Sequence, residues 1–152
     1  MAGGEKFTKI DVQQAYLHLE LHPNDREYLT LNTSLGLLQP TRLMYGVASA
    51  PAIWQKTMEV MLQGIEGVAI FFDDARITGL DDATHIKRII QVLDRFLKYN
   101  VKVNFEKSQF LADEIEYCGY KITRDGIQKS PSKVEALEAI PRPRDKKDCV
   151  HF

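Results

Sequence analysis

The chain has 152 residues, 44% hydrophobic and 27% charged, with a formal net charge of −1 at neutral pH. That length and mixture specify one globular domain with its own core, and no apolar run approaches the roughly 18 residues of a membrane-spanning helix. A balance this close to neutral excludes a general attraction to nucleic acid, so any grip on a phosphate backbone has to come from local basic patches.

The start, Met1-Ala-Gly-Gly-Glu-Lys6, lacks the apolar centre of a secretory signal. Cys118 and Cys149 form no metal-ligand pattern and read as thiols of a reducing compartment. Together these point to an intracellular protein, without distinguishing cytoplasm from nucleus.

In chain order, Lys6–Asp11 alternates polar and apolar residues and predicts a short strand ending on an aspartate. Gln13–Leu19 fits a helical turn or a strand equally well. Glu27–Asn32 alternates as a strand, and Gln39-Pro40 makes a turn between Leu35–Leu38 and Arg42–Tyr45. Pro51, preceded by Ser49 and Ala50, suits the first turn of a helix. Ile53, Trp54, Met58, Met61 and Leu62 carry that helix, which ends at Gly64 and Gly67.

Asp81-Asp82 can cap a second helix, whose apolar face is Ile86, Ile89, Ile90, Leu93, Phe96 and Leu97, with Asn100 at its end. Val101–Val103 is a short strand, and Glu116–Thr123 runs into a hairpin turn at Asp125-Gly126, from which Ile127 returns. Ser130-Pro131 opens a last helix through about Ala139, which Pro141 and Pro143 end.

Between the two helices lies Val68-Ala-Ile-Phe-Phe-Asp-Asp-Ala-Arg-Ile-Thr-Gly79, two apolar runs about a pair of aspartates. The pattern reads as a β-hairpin with Asp73 and Asp74 at its tip. Two unit charges about 4 Å apart repel by roughly 1 kcal/mol in water and several times more near a protein surface. The hairpin alone is compatible with a tolerated acidic turn or with a cation site.

The element order, leaving aside an insertion of two strands, is the split βαββαβ pattern: an α+β, ferredoxin-like fold with an antiparallel sheet and helices on one face. In that topology the first strand lies beside the central hairpin, so Asp11 approaches Asp73 and Asp74. Three carboxylates at one sheet edge favour a hard-cation site over a bland turn.

An aspartate after a strand, a helix opening Ala50-Pro51-Ala52, and an aromatic-x-Asp-Asp hairpin form a specific combination. The chain resembles the palm region of reverse transcriptases in the Pol polyproteins of gypsy-type LTR retrotransposons, which are retroviral in type. Five motifs in order carry the resemblance. They are Phe7–Tyr16, Met44–Gln55, Phe71–Asp74, Val101–Lys107 after the second helix, and Tyr117-Cys-Gly-Tyr120 followed by Ile127 and Pro131–Lys133. Residues 1–129 would be the palm, with motifs A to E, and 130–152 the start of a thumb or connection segment.

The resemblance implies an RNA-directed DNA polymerase using two Mg²⁺ (or Mn²⁺) ions, held by Asp11, Asp73, Asp74 and the Val12 carbonyl. It implies that Lys107 protonates the leaving pyrophosphate and that Tyr16 lies under the incoming sugar, excluding a 2′-hydroxyl. Tyr45, Gly46, Gln55 and Phe71 would line the nucleotide site, and Tyr117, Cys118, Gly119 and Tyr120 would grip the primer. Trp54, by its spacing, is a core residue. The implied partners are an RNA or DNA template with a DNA primer, and deoxynucleoside triphosphates, with no membrane.

Phe71 stands where the family mostly has tyrosine, and Tyr45 where it mostly has phenylalanine. Family members carry fingers before the first motif, and thumb, connection and RNase H regions after the palm, whereas this sequence starts ten residues before Asp11. The expectation is therefore weak activity alone. Apolar surface among Leu35, Leu37, Leu38 and Tyr117 would be left for self-association or for the remaining polymerase domains. The competing expectation is a non-catalytic retroelement remnant that acts by binding.

Overall fold

The computed structural model describes residues 4–117 and 119–129. The helix expected from Ser130-Pro131, the thumb-like segment 130–152 and Cys118 lie outside the described residues.

The central sheet is built from strands β1 (Lys6–Val12), β4 (Val68–Phe71), β5 (Asp74–Gly79) and β6 (Val103–Ala112), in the order β4-β5-β1-β6. Helices α1 (Ala50–Met61) and α2 (Asp82–Lys98) supply the crossovers. This is the split βαββαβ order, with every neighbouring pair antiparallel. The expected insertion is a small hairpin, β2 (Leu31–Thr33) with β3 (Gly36–Leu38). A separate three-stranded sheet of β7 (Glu114–Tyr117), β8 (Tyr120–Thr123) and β9 (Gly126–Lys129) follows.

Alternation along β1 sorts its side chains to two faces. Ile10 and Val12 join Ala75 and Ile77 of β5 in the main core beneath the helices. Phe7 faces the other way and packs with Ile115 and Ile122 of the small sheet. Lys9 and Asp11 share the face of Phe7, and in register they oppose Arg76 and Asp74. The acidic edge of the sheet therefore lies on the side away from the helices.

Helix α1 has Pro51 in its first turn, where the missing N–H costs nothing, and it buries Ala50, Trp54, Met58 and Met61. Helix α2 is capped as expected: Asp81 accepts from the Thr84 N–H at 2.7 Å and from its hydroxyl at 2.8 Å. These two bonds hold the Asp81 carboxyl below its usual range. Asn100 takes the left-handed conformation beyond the helix end (φ 54°).

Four expectations are corrected. Of the strand expected at Glu27–Asn32, Leu31 and Asn32 are strand, whereas Glu27–Leu29 close a 3-10 helix, Pro23–Leu29, because Pro23 starts the turn and the His22 ring accepts from the Asn24 N–H at 3.3 Å. The short strand at Val101–Val103 is instead the ten-residue β6. The run Glu116–Thr123 is divided into β7 and β8, where Tyr117 faces Tyr120 and Gly119, in a turn, has φ 75°.

The fourth correction concerns the buried face of α2, which is His85, Ile89, Val92 and Phe96. Ile86, Ile90 and Leu97 are exposed. The face is rotated because His85 is drawn inward: its Nε2 lies 2.9 Å from the Thr8 Oγ1. Of the four residues expected to leave apolar surface, Leu35, Leu37 and Leu38 are exposed and Tyr117 is half-buried. Among the described residues no helix is long and apolar enough to cross a membrane.

His85 gives the fold a pH dependence. The Thr8 hydroxyl accepts from the Leu111 N–H at 3.1 Å, which leaves its proton to donate to His85, while the buried Nδ1 has no partner among the described residues. Burial holds the imidazole below its ordinary pKa of 6.5; Asp82 opposes that shift and Arg88 adds to it. The unfolded chain takes up this proton near pH 6.5 and the folded chain resists it, so stability is full above that pH and declines below it. The expected result is a Tm that falls between pH 7.5 and 5.5 and falls less in His85→Gln. Equal slopes in the two proteins would contradict it.

Candidate active site

Phe71 pairs with Asp74 across the β4–β5 hairpin, so the two-residue tip is Phe72-Asp73. The sequence placed both aspartates at the tip; Asp74 instead begins the outgoing strand. The shift follows from Phe72, which takes the left-handed conformation (φ 50°). Bulky side chains rarely adopt it, and it persists only where the surroundings enforce it.

Here α1 enforces it. The Gln55 Oε1 accepts from the Phe72 N–H at 3.0 Å, and the Trp54 indole Nε1 donates to the Phe72 carbonyl at 3.1 Å. Gln55 Nε2 also donates to the Ile70 carbonyl at 3.4 Å and to Glu59 Oε1 at 3.0 Å. Both backbone polar groups of the strained residue are thus held by consecutive side chains of one helix. Trp54 is fully buried, as its spacing predicted. Gln55, expected to line a nucleotide site, spends its amide on the hairpin.

Strand β1 brings the third carboxylate alongside. Asp11 opposes Asp74 in register, and the Val12 N–H donates to the Asp73 carbonyl at 2.9 Å. The Asp11 N–H donates to Ser108 Oγ at 3.1 Å, and that hydroxyl donates to the Asn104 carbonyl at 2.6 Å. Ser108 belongs to a bulge: the step from Asp11 to Lys9 on β1 is matched by Asn104 to Gln109 on β6. Lys107 lies exposed in the same bulge, with its N–H on Asn104 Oδ1 at 3.3 Å.

The carboxylates are not equivalent. The buried Asp73 Oδ1 has no hydrogen-bond partner among the described residues. Burial, then the charge of Asp11, then that of Asp74 push the Asp73 carboxyl above its usual range. Asp74 is neutralised instead: its Oδ2 lies 2.9 Å from Arg76 Nη2 and 3.4 Å from Lys9 Nζ. Among the described residues no three acidic, His or Cys side chains are gathered into a ready metal cage. A hard divalent cation fits the donors of Asp11 and Asp73, because one buried carboxylate oxygen there lacks any partner and the two charges repel. Asp74 fits only by exchanging its present cations.

Around the tip, the Tyr16 and Tyr45 rings meet at 4.9 Å. Burial, then Asp73, then Tyr16 push the Tyr45 hydroxyl above its usual range. Gly46 follows with φ 91°. The Phe71 ring meets Phe72 edge-on at 4.6 Å and Tyr117 at 5.7 Å. The Tyr117–Tyr120 turn, with Gly119, is thereby placed against the acidic hairpin. Sequence reasoning passed over Ser108, which carries no local signal. It also passed over Arg76, whose signal was available: a cation two residues after Asp74 on a strand shares its face.

A split βαββαβ sheet carrying an acidic hairpin beside the aspartate of its first strand defines a polymerase palm. The family model for reverse transcriptase (RNA-dependent DNA polymerase) matches residues 1–122, and the chain belongs to that family. It is 31% identical over 154 aligned residues to the retrovirus-related Pol polyprotein from transposon opus of Drosophila melanogaster, covering 100% of this chain and 15% of that protein. It is 29% identical over 147 residues to the Pol polyprotein from transposon gypsy of the same fly, covering 95% and 14%.

Among solved structures, the foamy viral protease-reverse transcriptase in complex with double-stranded DNA superposes with a TM-score of 0.89 at 20% identity, over 99% of this chain and 27% of that one. The same protein in complex with an RNA/DNA hybrid gives 0.84, again at 20% identity, over 99% and 21%. The chain thus spans about a seventh of these curated relatives.

Proposed function

We propose that this chain provides the metal-holding palm of an RNA-directed DNA polymerase, adding deoxynucleotides to a DNA primer on an RNA or DNA template. One observation carries the reading: at the sheet edge that brings Asp11, Asp73 and Asp74 together, a buried Asp73 oxygen lacks any partner among the described residues while Asp11 repels it. Membership of the reverse transcriptase family gives that site its chemistry.

Asp11 and Asp73 would hold Mg²⁺ or Mn²⁺, with Asp74 and the Val12 carbonyl as further ligands. Bound there, the two ions supply charge neutralisation for an in-line attack of the primer 3′-hydroxyl on the triphosphate. The rest is positioning by the chain. The clamp of Trp54 and Gln55 fixes the hairpin tip, so Asp73 needs little rearrangement to take up its role. Ser108 fixes the backbone of Asp11 in the same way.

The Tyr16–Tyr45 pair beside Asp73 offers a flat wall for the sugar of a deoxynucleotide, and Tyr117, Gly119 and Tyr120 border the hairpin where a primer end would lie. Lys107, exposed in the bulge next to Ser108, is available to protonate a leaving pyrophosphate.

The test is primer extension on an RNA template with Mn²⁺. The expected result is slow incorporation that needs the divalent ion and disappears in Asp73→Asn. Incorporation that survives Asp73→Asn, or that proceeds in chelator, would contradict the proposal.

A further inference from the structure

Arg76 is the buried charge that the polymerase chemistry leaves unused. Its side chain is 6% exposed, and two of its three guanidinium nitrogens, Nε and Nη1, have no hydrogen-bond partner among the described residues. Burying a cation so incompletely satisfied is costly unless something compensates. Two contacts do so. Nη2 lies 2.9 Å from Asp74 Oδ2, and Cζ sits 4.6 Å above the centre of the Tyr117 ring.

The local geometry follows from the strand. Residues two apart on β5 share a face, which sets Arg76 beside Asp74, and cross-strand register puts Lys9 opposite Arg76. Asp74 thus meets two cations, while Asp73, in the tip itself, meets none among the described residues. A divalent ion that takes Asp74 as a ligand has to bring its charge close to a guanidinium already bound to the same oxygen. Like charges so close in a partly buried site repel strongly. The two cannot share that oxygen at full strength.

We propose that Arg76 is a built-in counter-ion of the acidic hairpin: it neutralises Asp74 until a divalent cation arrives, then yields the carboxylate, coupling ion entry to the position of the Tyr117 turn. The coupling has a physical route. A guanidinium released from Asp74 still lies on the Tyr117 ring, and that ring also touches Phe71 at the start of the hairpin tip. Moving the guanidinium shifts charge from the sheet edge toward the β7–β8 turn. Arg76 is therefore a positioning residue, acting on the ion site through Asp74 and on the neighbouring turn through Tyr117. The inference rests on the reading that the hairpin holds divalent ions.

The chain contains one tryptophan, and its indole is bonded to the hairpin tip, so Trp54 emission reports ion binding directly. Mn²⁺ titrations of the parent, Asp73→Asn, Arg76→Leu and Arg76→Gln test the proposal, with folding checked by circular dichroism. Removing the competing charge is expected to tighten Mn²⁺ binding about tenfold in both Arg76 variants, the scale on which groups behind a ligand tune metal affinity. Unchanged or weaker binding in a folded Arg76 variant overturns it.

Should neither variant fold, the parent decides. On addition of Mg²⁺, the Arg76 Nε–H and Tyr117 ring resonances are expected to shift with the midpoint of the Trp54 signal, and resonances that stay fixed overturn the proposal. A parent that gives no saturable Mn²⁺ response removes the metal reading itself. A response in the parent that is lost in Asp73→Asn, with Arg76→Leu matching the parent, removes only the role of Arg76.

Discussion

Asp73→Asn is expected to unfold at a higher temperature than the parent in chelator, and to lose the stabilisation that Mn²⁺ or Mg²⁺ gives the parent. The ionised Asp73 carboxylate is held above its usual pKa range by burial and by Asp11 and Asp74, so in the absence of a cation it is a net cost to the folded state. An isosteric amide removes the repulsion. Partial solvent screening keeps the gain to about 1 kcal/mol or less, which for a domain of this size corresponds to roughly 2–4 °C in Tm. With saturating divalent ion the order reverses, because only the parent gains binding energy. The catalytic loss is much larger, on the order of 10³-fold, as for removing a charge-stabilising group from a preorganised site. Differential scanning fluorimetry with and without Mn²⁺ checks the crossing. If Asp73→Asn melted below the parent in chelator, the electrostatic account of the hairpin would be wrong.

The second large effect is at Trp54. Trp54→Ala removes the largest fully buried side chain and the indole bond to the Phe72 carbonyl. Large-to-small changes of this kind cost about 3–5 kcal/mol, against a total stability of about 5–15 kcal/mol for a typical domain. The variant is expected to be mostly folded at 20 °C, with its urea midpoint by circular dichroism lowered by a third or more. Trp54→Phe keeps most of the volume and loses the hydrogen bond, so it separates the two contributions. Its expected cost is about 1 kcal/mol, together with weaker Mn²⁺ binding, since Phe72 then holds its left-handed conformation with one partner instead of two. Unaltered Mn²⁺ affinity in Trp54→Phe would show that the indole clamp does not position the hairpin.

Both predictions depend on contacts that a linear reading reaches unevenly. The alternation of Lys6–Asp11, the proline at the start of α1, the aspartate cap of α2 and the acidic hairpin are local signals, and they sufficed for the split βαββαβ order. That order in turn brings Asp11 beside the hairpin, which the register of β1 and β5 shows.

What stayed hidden depends on partners distant in sequence. The tip of the hairpin moved by one residue because Trp54 and Gln55 hold Phe72 in a conformation it would not choose alone. The buried face of α2 turned because a histidine, not counted among the apolar residues, found a hydroxyl 77 positions away. The bulge of β6, which delivers Ser108 to Asp11, follows from the mismatch of two strands and leaves no periodic trace. Arg76 was visible, yet its meaning depends on Tyr117, which only the tertiary structure places over it.

The exposed apolar residues have a similar status. Leu35, Leu37 and Leu38 on the β2–β3 hairpin are exposed, as their place in an insertion suggested. We propose that they favour self-association or contact with further polymerase segments, which sedimentation velocity over a concentration series would reveal as a rising average mass.

The most direct measurement of the central claim is an anomalous difference map from crystals soaked in Mn²⁺. A peak is expected between the carboxylates of Asp11 and Asp73, with the Arg76 guanidinium moved off Asp74 toward Tyr117. A saturating soak that leaves this edge of the sheet without a peak, or that places manganese only elsewhere, would contradict it.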